Sequence, residues 1–205
     1  MTTLLVLLLA YSIGSVPFAY LAGRLAGRDL LAEGSGGVSG TAAIERLGKV
    51  RGAIAGLADA LKPALAIFIA QRLATYEVSA VAGVVAVAGH VWPFTLRFRG
   101  GRGIGPAGGA LAALGSWHMA LAFAGMVLGK AIIKDSAPGA LIGFFATAIV
   151  LSLTGAALTL SLAGWTLLGL LITARLVGFR KANAPDDVST ATLLWRRFLL
   201  DRDRP

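Results

Sequence analysis

Six long apolar stretches dominate this 205-residue chain and limit the folds it can adopt. Each is long enough to approach a membrane-crossing helix, which needs about 20 apolar residues. Lipid offers the backbone no hydrogen-bond partners, so continuous apolar segments of this kind cross a membrane as helices. The stretches cover residues 4–23, 53–74, 78–96, 104–128, 137–153 and 156–177. The predicted fold is an all-α polytopic membrane protein.

The composition supports this prediction and excludes several other classes of protein. Charged residues make up 14% of the chain, against about 25% in an ordinary soluble protein. The net charge is +9, but a mean hydropathy of +0.78 argues against a basic nucleic-acid-binding domain, whose charges lie on a wetted surface. Absence of cysteine excludes disulfides and thiolate metal sites, and two histidines are too few for a histidine-based metal cluster. We therefore predict no metal site and no nucleic-acid partner.

The number of helices depends on the fourth apolar stretch, residues 104–128. Gly115, Ser116 and His118 lie near its midpoint, so it forms either one span or two short helices. Lys and Arg concentrate in short cytoplasmic loops of membrane proteins. With seven segments and an outside N-terminus, 17 of the 19 basic residues fall on the inner side, whereas six spans divide them almost evenly. We predict about seven transmembrane or half-membrane helices, with the N-terminus out and the C-terminus in.

This topology also predicts the domain organisation and the active face. Residues 1–179 form a single transmembrane helical domain, and residues 180–205 form a cytoplasmic C-terminal tail. The predicted outer connections are short and plain, while the inner ones are long and rich in glycine and charge. We expect a multi-pass protein of the cell (inner) membrane whose chemistry takes place on the cytoplasmic face.

The first inner loop, residues 33–41, has a composition suited to binding an anion. It contains four glycines within seven positions, and successive backbone N–H groups in such turns can surround a phosphate. The hydroxyls of Ser35, Ser39 and Thr41 could add further hydrogen bonds. The alternative is a flexible loop without a ligand, because glycine-rich loops are common and no known nucleotide-binding spacing is present.

The second inner loop, residues 97–103, indicates phosphate binding more specifically than the first loop does. Three arginines alternate with three glycines directly before a predicted helix, whose first N–H groups lack partners within the helix. Guanidinium groups bind phosphate oxygens in pairs, so this loop could form a phosphate clamp. The alternative is a set of arginines that only anchors the chain at the membrane edge.

A few polar residues lie inside or beside the spans. Asp59 and Lys62 are three residues apart and therefore share one helix face, where a structural ion pair is the simpler interpretation. His90 could act as a general base or could hydrogen-bond across the bundle, and the second role is the commoner one. Residues 130–136 form a third polar cluster at the inner side, suited to a second phosphate contact or to anchoring.

Together these motifs resemble the bacterial membrane family of acyl-phosphate:glycerol-3-phosphate acyltransferases, over roughly residues 11–136. The presence of both loop motifs, in the order that the family has them, is a far more specific match than either motif alone. The matching positions are Ser15, Pro17, Phe18 and Leu21 in the first span, Gly34, Ser35, Gly36, Thr41 and Gly48 in the first loop, Asp59 and Lys62, Gly89, His90 and Pro93, and Phe98–Gly103 with arginine in place of lysine.

The resemblance implies a seven-helix protein that transfers an acyl group from acyl phosphate to glycerol 3-phosphate. The product would be lysophosphatidic acid for phospholipid biosynthesis, made without a cofactor. The implied partners are acyl phosphate, glycerol 3-phosphate or a related phosphorylated acceptor, and membrane lipid, and we expect a monomer. The implied catalytic residues are Ser35, His90 and Arg102. The implied phosphate- or substrate-binding residues are Gly34, Gly36, Thr41, Arg46, Lys62, Arg99, Gly100, Gly101, Gly103 and Ser136.

The chain also departs from the family pattern. The two asparagines of the first loop are replaced by Gly37 and Ala42, and Glu45 stands at the arginine position, with Arg46 next to it. The C-terminal His-x-x-Asn-x-x-Arg-Leu motif is absent from residues 175–205. Two alternatives therefore remain, an acyl-phosphate-dependent transferase with another acceptor and a non-catalytic lipid-binding membrane protein of the same fold.

Overall fold

The computed structural model describes residues 2–32 and 38–177, together with residues 189, 191–192, 194–195 and 198 near the C-terminus. The ordered elements in this part of the chain are helices, so the predicted all-α fold is confirmed. A 3₁₀ turn, Phe94–Leu96, lies between the fifth and sixth helices. The helices are α1 (Thr2–Gly14), α2 (Phe18–Leu25), α3 (Gly40–Leu47), α4 (Lys49–Leu73), α5 (Tyr76–Val91), α6 (Ile104–Ala113), α7 (Met119–Ile132), α8 (Ser136–Leu153) and α9 (Leu158–Val177).

The described helices fall into two length classes. Five segments are long and apolar enough to cross a membrane: Thr2–Leu25, which contains α1 and α2, Lys49–Leu73, Tyr76–Leu96, Ser136–Leu153 and Leu158–Val177. The apolar helices α6 and α7 are shorter. They are separated by a turn at residues 114–118, so the fourth apolar stretch forms two helices, as one of its two interpretations predicts.

Two proline residues set helix boundaries that matter for the site. Pro17 separates α1 from α2, since a proline has no N–H to continue the helical hydrogen bonding of α1. Pro93 disfavours helical geometry at Trp92, and α5 accordingly ends at Val91, before the predicted end at residue 96. The chain therefore changes direction at the ends of α1 and α5 that lie beside each other. Tyr11 donates a hydrogen bond of 2.6 Å to the carbonyl of Trp92 across this junction.

Glycine allows two helical hairpins to pack with their backbones in contact. In the α3–α4 hairpin, Gly52 lies against the backbone of Ile44, and the connecting Gly48 has a φ of +86°, a conformation that favours glycine. In the α7–α8 hairpin, Gly125 and Gly129 face Gly139 in the same manner, and a Cβ on any of them would meet opposing backbone. Small residues at such crossings are typical of helix packing in membranes.

The core lies between α4, α5, α6, α8 and α9, and the outer helix faces are apolar. Large side chains on these outer faces, such as Leu4 and Leu8 of α1 and Phe68 of α4, are about half exposed, at 63%, 55% and 54%. An apolar surface of this extent is suited to lipid. The large apolar side chains that are fully buried in the core are Ile67, Val87, Leu111, Leu151, Leu167 and Leu171.

The C-terminal end of α9 carries an enclosed cation. Arg175 is 1% exposed and donates hydrogen bonds to the carbonyls of Ala137, at 2.7 Å, and Phe198, at 3.0 Å. It thereby joins the end of α9, the start of α8 and the C-terminal region. The predicted boundary between a membrane domain and a tail, at residues 179 and 180, lies outside the described residues.

Candidate functional site

The break between α1 and α2 is held by a carboxylate from α4. Asp59 is 2% exposed, and its two oxygens accept hydrogen bonds from the backbone N–H groups of Phe18, at 3.3 Å, and Ala19, at 3.2 Å. These N–H groups belong to the first turn of α2 and have no acceptor within that helix. Pro17, which precedes α2, provides no side-chain cap. Asp59 therefore caps α2 from a neighbouring helix, where a negative charge is also favoured by the helix dipole.

The other side of the same break is held by Lys62. Its ammonium donates hydrogen bonds to the carbonyls of Gly14, the last residue of α1, at 2.7 Å, and of Val16, in the break, at 2.5 Å. It also lies 2.8 Å from the Asp59 carboxylate, so the ion pair predicted from their spacing is present. Because Lys62 is 3% exposed, its charge depends on these partners rather than on water.

His90 joins this ion pair from the last turn of α5. Its Nδ1 lies 3.2 Å from the Lys62 Nζ and 3.6 Å from the Asp59 Oδ1, and the residue is 5% exposed. The shorter distance makes Lys62 the hydrogen-bonding partner. The contact is the hydrogen bond across the bundle that the sequence favours for His90. We refer to Asp59, Lys62 and His90 as the enclosed cluster.

The second inner loop packs directly against His90. The N–H of Gly101 donates to the carbonyl of His90 at 3.2 Å, and the N–H of Gly100 donates to the carbonyl of Val91 at 3.1 Å. A Cβ on Gly100 would collide with the His90 carbonyl, and one on Gly101 would collide with the His90 Nε2. The two glycines are thus required for the loop to approach the imidazole this closely.

One described residue of the first loop, Val38, comes close to the second loop at this point. A Cβ on Gly101 would lie 2.7 Å from the carbonyl oxygen of Val38, which precedes α3. A small cavity of about 10 Å³, roughly the space for one water, opens between the loops and the cluster. It is lined by Gly14, Pro17, Val38, Asp59, Lys62, His90, Pro93, Leu96, Gly100 and Gly101.

The tip of the second loop points away from the cluster. Arg97, Phe98 and Arg99 are exposed, and we refer to them as the arginine tip. Arg97 and Phe98 have φ values of 52° and 61°, in the left-handed region, which is strained for both residue types. The N–H of Phe98 donates to the Pro93 carbonyl at 2.8 Å and closes the turn. The turn therefore holds two guanidinium groups and one aromatic ring outward.

A family model described as "Glycerol-3-phosphate acyltransferase" matches residues 4–183 of this chain. The chain belongs to the glycerol-3-phosphate acyltransferase family. The matched region contains most of α1, all of α2 to α9, and both glycine-rich loops. The family resemblance predicted from the motifs is confirmed.

Individual relatives agree with this assignment. Glycerol-3-phosphate acyltransferase 2 of Moorella thermoacetica is 40% identical over 121 residues, which are 58% of this chain and 62% of that protein. The glycerol-3-phosphate acyltransferase of Laribacter hongkongensis is 36% identical over 156 residues, covering 73% of this chain and 77% of the relative. The matched part of this chain thus spans slightly less than two thirds of the Moorella protein.

The fold is shared with a solved structure. The crystal structure of PlsY (YgiH), an integral membrane glycerol 3-phosphate acyltransferase, in its glycerol 3-phosphate form, superposes with a TM-score of 0.79. It covers 85% of this chain and 88% of PlsY, at 24% sequence identity. The lysophosphatidic acid form of the same protein gives a TM-score of 0.77. The helical arrangement described above is therefore that of an integral membrane protein.

The predicted site residues fall into three groups: those at the enclosed cluster and the second loop, those outside the described residues, and those with other surroundings. Residues of the enclosed cluster and the second loop come together, namely Lys62, His90, Gly100 and Gly101. Gly103 begins α6 with a φ of +79°, and Arg102 beside it is half-buried. Gly34, Ser35 and Gly36 lie outside the described residues. Their role stays a prediction.

The remaining predicted residues lie farther from the cluster or have other partners. Thr41 is exposed on α3, and Arg99 belongs to the exposed tip. The Arg46 guanidinium donates a hydrogen bond of 2.8 Å to the carbonyl of Leu30, and the Arg46 carbonyl accepts a hydrogen bond from Arg28. Ser136 starts α8 and is not among the described residues that line the small cavity.

The sequence misses one role of Asp59 and the whole contribution of Arg175. It predicts Asp59 as the partner of Lys62, but not as the cap of α2. Arg175 is one of the 17 basic residues assigned to the inner side, although it lies inside the apolar stretch 156–177, where a buried charge marks a structural or functional contact.

Proposed function

We propose that this chain is a glycerol-3-phosphate acyltransferase that uses acyl phosphate as its donor and forms lysophosphatidic acid. The observation that carries the proposal is the close approach of the second loop to His90 and to Val38 of the first loop. The second loop provides three arginines, of which Arg97 and Arg99 are exposed. A site for two phosphate-bearing substrates needs two such anion-binding segments side by side.

The donor is assigned to the second loop. Arg102 lies between Gly101 and Gly103, at the start of α6, where the unbonded N–H groups of the helix favour an anion. Arg99 and Arg97 are exposed beside an exposed phenylalanine, which suits a substrate with a phosphate and an acyl chain. The acceptor phosphate is assigned to the first loop, where Ser35 and Thr41 contribute hydroxyls.

The reaction is an acyl transfer between oxygens. The hydroxyl oxygen of the acceptor forms a bond to the acyl carbon, the bond from that carbon to the phosphate oxygen breaks, and phosphate and a proton are released. Negative charge grows on the departing phosphate, and a fixed guanidinium such as that of Arg102 stabilises it. No covalent enzyme intermediate is required, because both substrates can lie together at the meeting point of the loops.

The site is proposed to face the cytoplasm from the cell (inner) membrane. Placing 17 of the 19 basic residues on the inner side supports this orientation. A Cβ added to Gly103 would lie 3.1 Å from the side chain of Val91 in α5 and 3.2 Å from that of Leu171 in α9. The second loop therefore lies near the ends of these helices that the predicted topology assigns to the inner side. The chain is proposed to act as a monomer, and residues 180–205 as its cytoplasmic tail.

The proposal is tested with purified full-length protein in lipid nanodiscs, acyl phosphate and radiolabelled glycerol 3-phosphate. We expect labelled lysophosphatidic acid, and a loss of about 10²–10³-fold in kcat for Arg102→Ala, the effect of removing one charge-stabilising donor. Arg102→Lys is the matched control that keeps the charge but loses the paired guanidinium contacts, and we expect it to retain more activity than alanine.

Other outcomes distinguish the alternatives. Saturable binding of acyl phosphate without labelled product would reject glycerol 3-phosphate as the acceptor and favour another one. Neither binding nor product would favour the non-catalytic lipid-binding protein. The orientation is tested by labelling Arg99→Cys, at an exposed position of the second loop, in sealed vesicles of known orientation, since the sequence has no cysteine of its own. Labelling from the outside would contradict the cytoplasmic active face.

A further inference from the structure

The Asp59 carboxylate lies beside three elements of the structure around the site, α2, α4 and α5. It accepts from the first turn of α2, forms the 2.8 Å ion pair with Lys62 on its own helix, and approaches His90 of α5 to 3.6 Å. A cap for α2 would need only the first of these contacts. The other two place the carboxylate where it can control the neighbouring side chains.

Lys62 depends on Asp59 for its position. The lysine ammonium has three N–H bonds and four acceptors within reach, the carbonyls of Gly14 and Val16, the Asp59 carboxylate and the His90 Nδ1. One N–H must therefore be shared. Without the negative charge of Asp59, the enclosed ammonium has only neutral acceptors, and keeping it charged becomes costly. Asp59 thus secures Lys62 as a donor facing His90.

A donor at this position fixes the proton of the imidazole. Lysine ammonium offers only donors, so a hydrogen bond along the 3.2 Å contact requires the His90 Nδ1 to accept. A neutral imidazole that accepts at Nδ1 carries its proton on Nε2. The Nε2 faces Gly101, since a Cβ on that glycine would collide with it. The hydrogen-bond network therefore assigns an Nε2–H donor directed at the second loop.

We propose that Asp59 is a positioning residue, which acts through Lys62 to hold His90 as an Nε2–H donor toward the group bound at Gly100 and Gly101. The inference rests on the proposed function, because the bound group there is the phosphate of the donor. Asp59 itself touches no substrate. Its effect on the reaction is exerted through the orientation and tautomer of His90.

The tautomer is measured directly by nitrogen NMR of the full-length protein labelled with ¹⁵N-histidine. The chain has two histidines, His90 and His118, so the His90→Gln variant identifies the signals of His90. In the unmodified protein we expect an unprotonated Nδ1 and a protonated Nε2. In Asp59→Asn we expect the two His90 signals to move toward each other, as the tautomers mix, while those of His118 stay unchanged.

The kinetic measurement separates positioning from substrate binding. For Asp59→Asn we expect kcat to fall by about 10–100-fold, less than the 10²–10⁴-fold typical of a direct proton-transfer group. The KM for acyl phosphate should change little, because the loop that binds it is retained. Asp59→Glu restores the carboxylate, and we expect it to recover part of the rate and the NMR signature. Glu77→Gln removes an exposed carboxylate at the opposite end of α5 and serves as the control.

Three results would overturn the proposal. A wild-type His90 protonated at Nδ1 would contradict the network, even if every variant at position 59 failed to fold. A folded Asp59→Asn protein with unchanged His90 signals would show that the carboxylate does not set the tautomer. Shifted signals with unchanged kcat would show that the tautomer has no part in the reaction. Failure of the proposed function is distinguishable, because the wild-type protein would then make no product while its NMR spectrum still tests the Asp59 contact.

Discussion

The enclosed cluster and the arginine tip are connected through the second loop, yet they use basic side chains in opposite ways. Lys62 is 3% exposed, and its N–H bonds are directed to protein acceptors. Arg97 and Arg99 are exposed on a turn held in a left-handed conformation. The difference teaches that charge of one sign near a membrane surface serves two purposes. An enclosed cation holds helices together, and we propose that an exposed one is placed to meet a ligand.

The comparison predicts that losing an enclosed cation destabilises the protein most. Lys62→Met removes the partner of Asp59 and leaves a buried carboxylate without its countercharge, which costs about 3–5 kcal/mol. The carbonyls of Gly14 and Val16 lose their donor as well. We expect a large drop in the thermal unfolding midpoint of the protein in detergent micelles. Activity should fall with it, because the break between α1 and α2 loosens beside the second loop.

A double variant separates the charge from the packing. In Asp59→Leu/Lys62→Met no buried charge is left unpaired, and replacing both members of a buried pair is often close to neutral. We expect it to be more stable than Lys62→Met alone but to remain inactive. An unfolding midpoint for Lys62→Met equal to that of the wild type would contradict the assignment of Lys62 as an enclosed structural cation.

The next effect in size is expected at Arg175, the second enclosed cation. Arg175→Met keeps the length of the stem but removes the donors to Ala137 and Phe198, and a hydrogen bond to a charged group contributes about 1.5–3 kcal/mol. The unfolding midpoint should drop by less than for Lys62→Met. Arg72→Met, at an exposed basic residue of α4, is the control. Equal effects of the two substitutions would contradict the enclosed role of Arg175.

The sequence predicts the helices well, because length and hydropathy alone determine which segments enter lipid. It predicts their ends less well, as α5 shows, since the effect of Pro93 competes with continued apolar composition through residue 96. The division of residues 104–128 into two helices was one of two open interpretations. It follows from the glycine and polar residues at 114–118, where Gly115 has a φ of +75°.

The site is predicted in part for a similar reason. Spacing places Asp59 and Lys62 on one face of a helix, and the ion pair follows. The contacts of Asp59 with α2 join residues about 40 positions apart, and no local pattern encodes such a contact. Arg175 and Arg97 are equally basic in the sequence, but one is enclosed and the other exposed. Burial depends on tertiary packing, and this is the information that the sequence pattern lacks.

A third prediction concerns the boundary between the two regions. Gly101 lies between the His90 Nε2 and the carbonyl of Val38, so Gly101→Ala forces one of them to move. Overpacking of this kind costs about 1–3 kcal/mol, and a displaced His90 should also lower kcat. Gly169→Ala on α9 is the matched control, because nothing lies within 4 Å of its added Cβ. Full activity of Gly101→Ala would show that the loop does not need this close approach to His90.

The smallest effect on stability is expected at the arginine tip itself. Arg97→Gln/Arg99→Gln removes two exposed charges, and surface substitutions away from special contacts change stability little. The unfolding midpoint should stay close to that of the wild type. If the tip attracts the anionic donor, the KM for acyl phosphate should rise by less than about tenfold, since electrostatic attraction at an exposed site is partial and screened.

Salt dependence decides whether this change in KM is electrostatic. At an ionic strength of about 0.15 M the screening length is near 8 Å, and at about 1 M it is near 3 Å. The difference in KM between the wild type and the double variant should therefore shrink as salt is added. A difference that persists at high salt would mean that the arginines bind the phosphate by direct contact, and a large drop in unfolding midpoint would mean that the tip holds the fold. Either result would remove the distinction drawn here between enclosed and exposed cations.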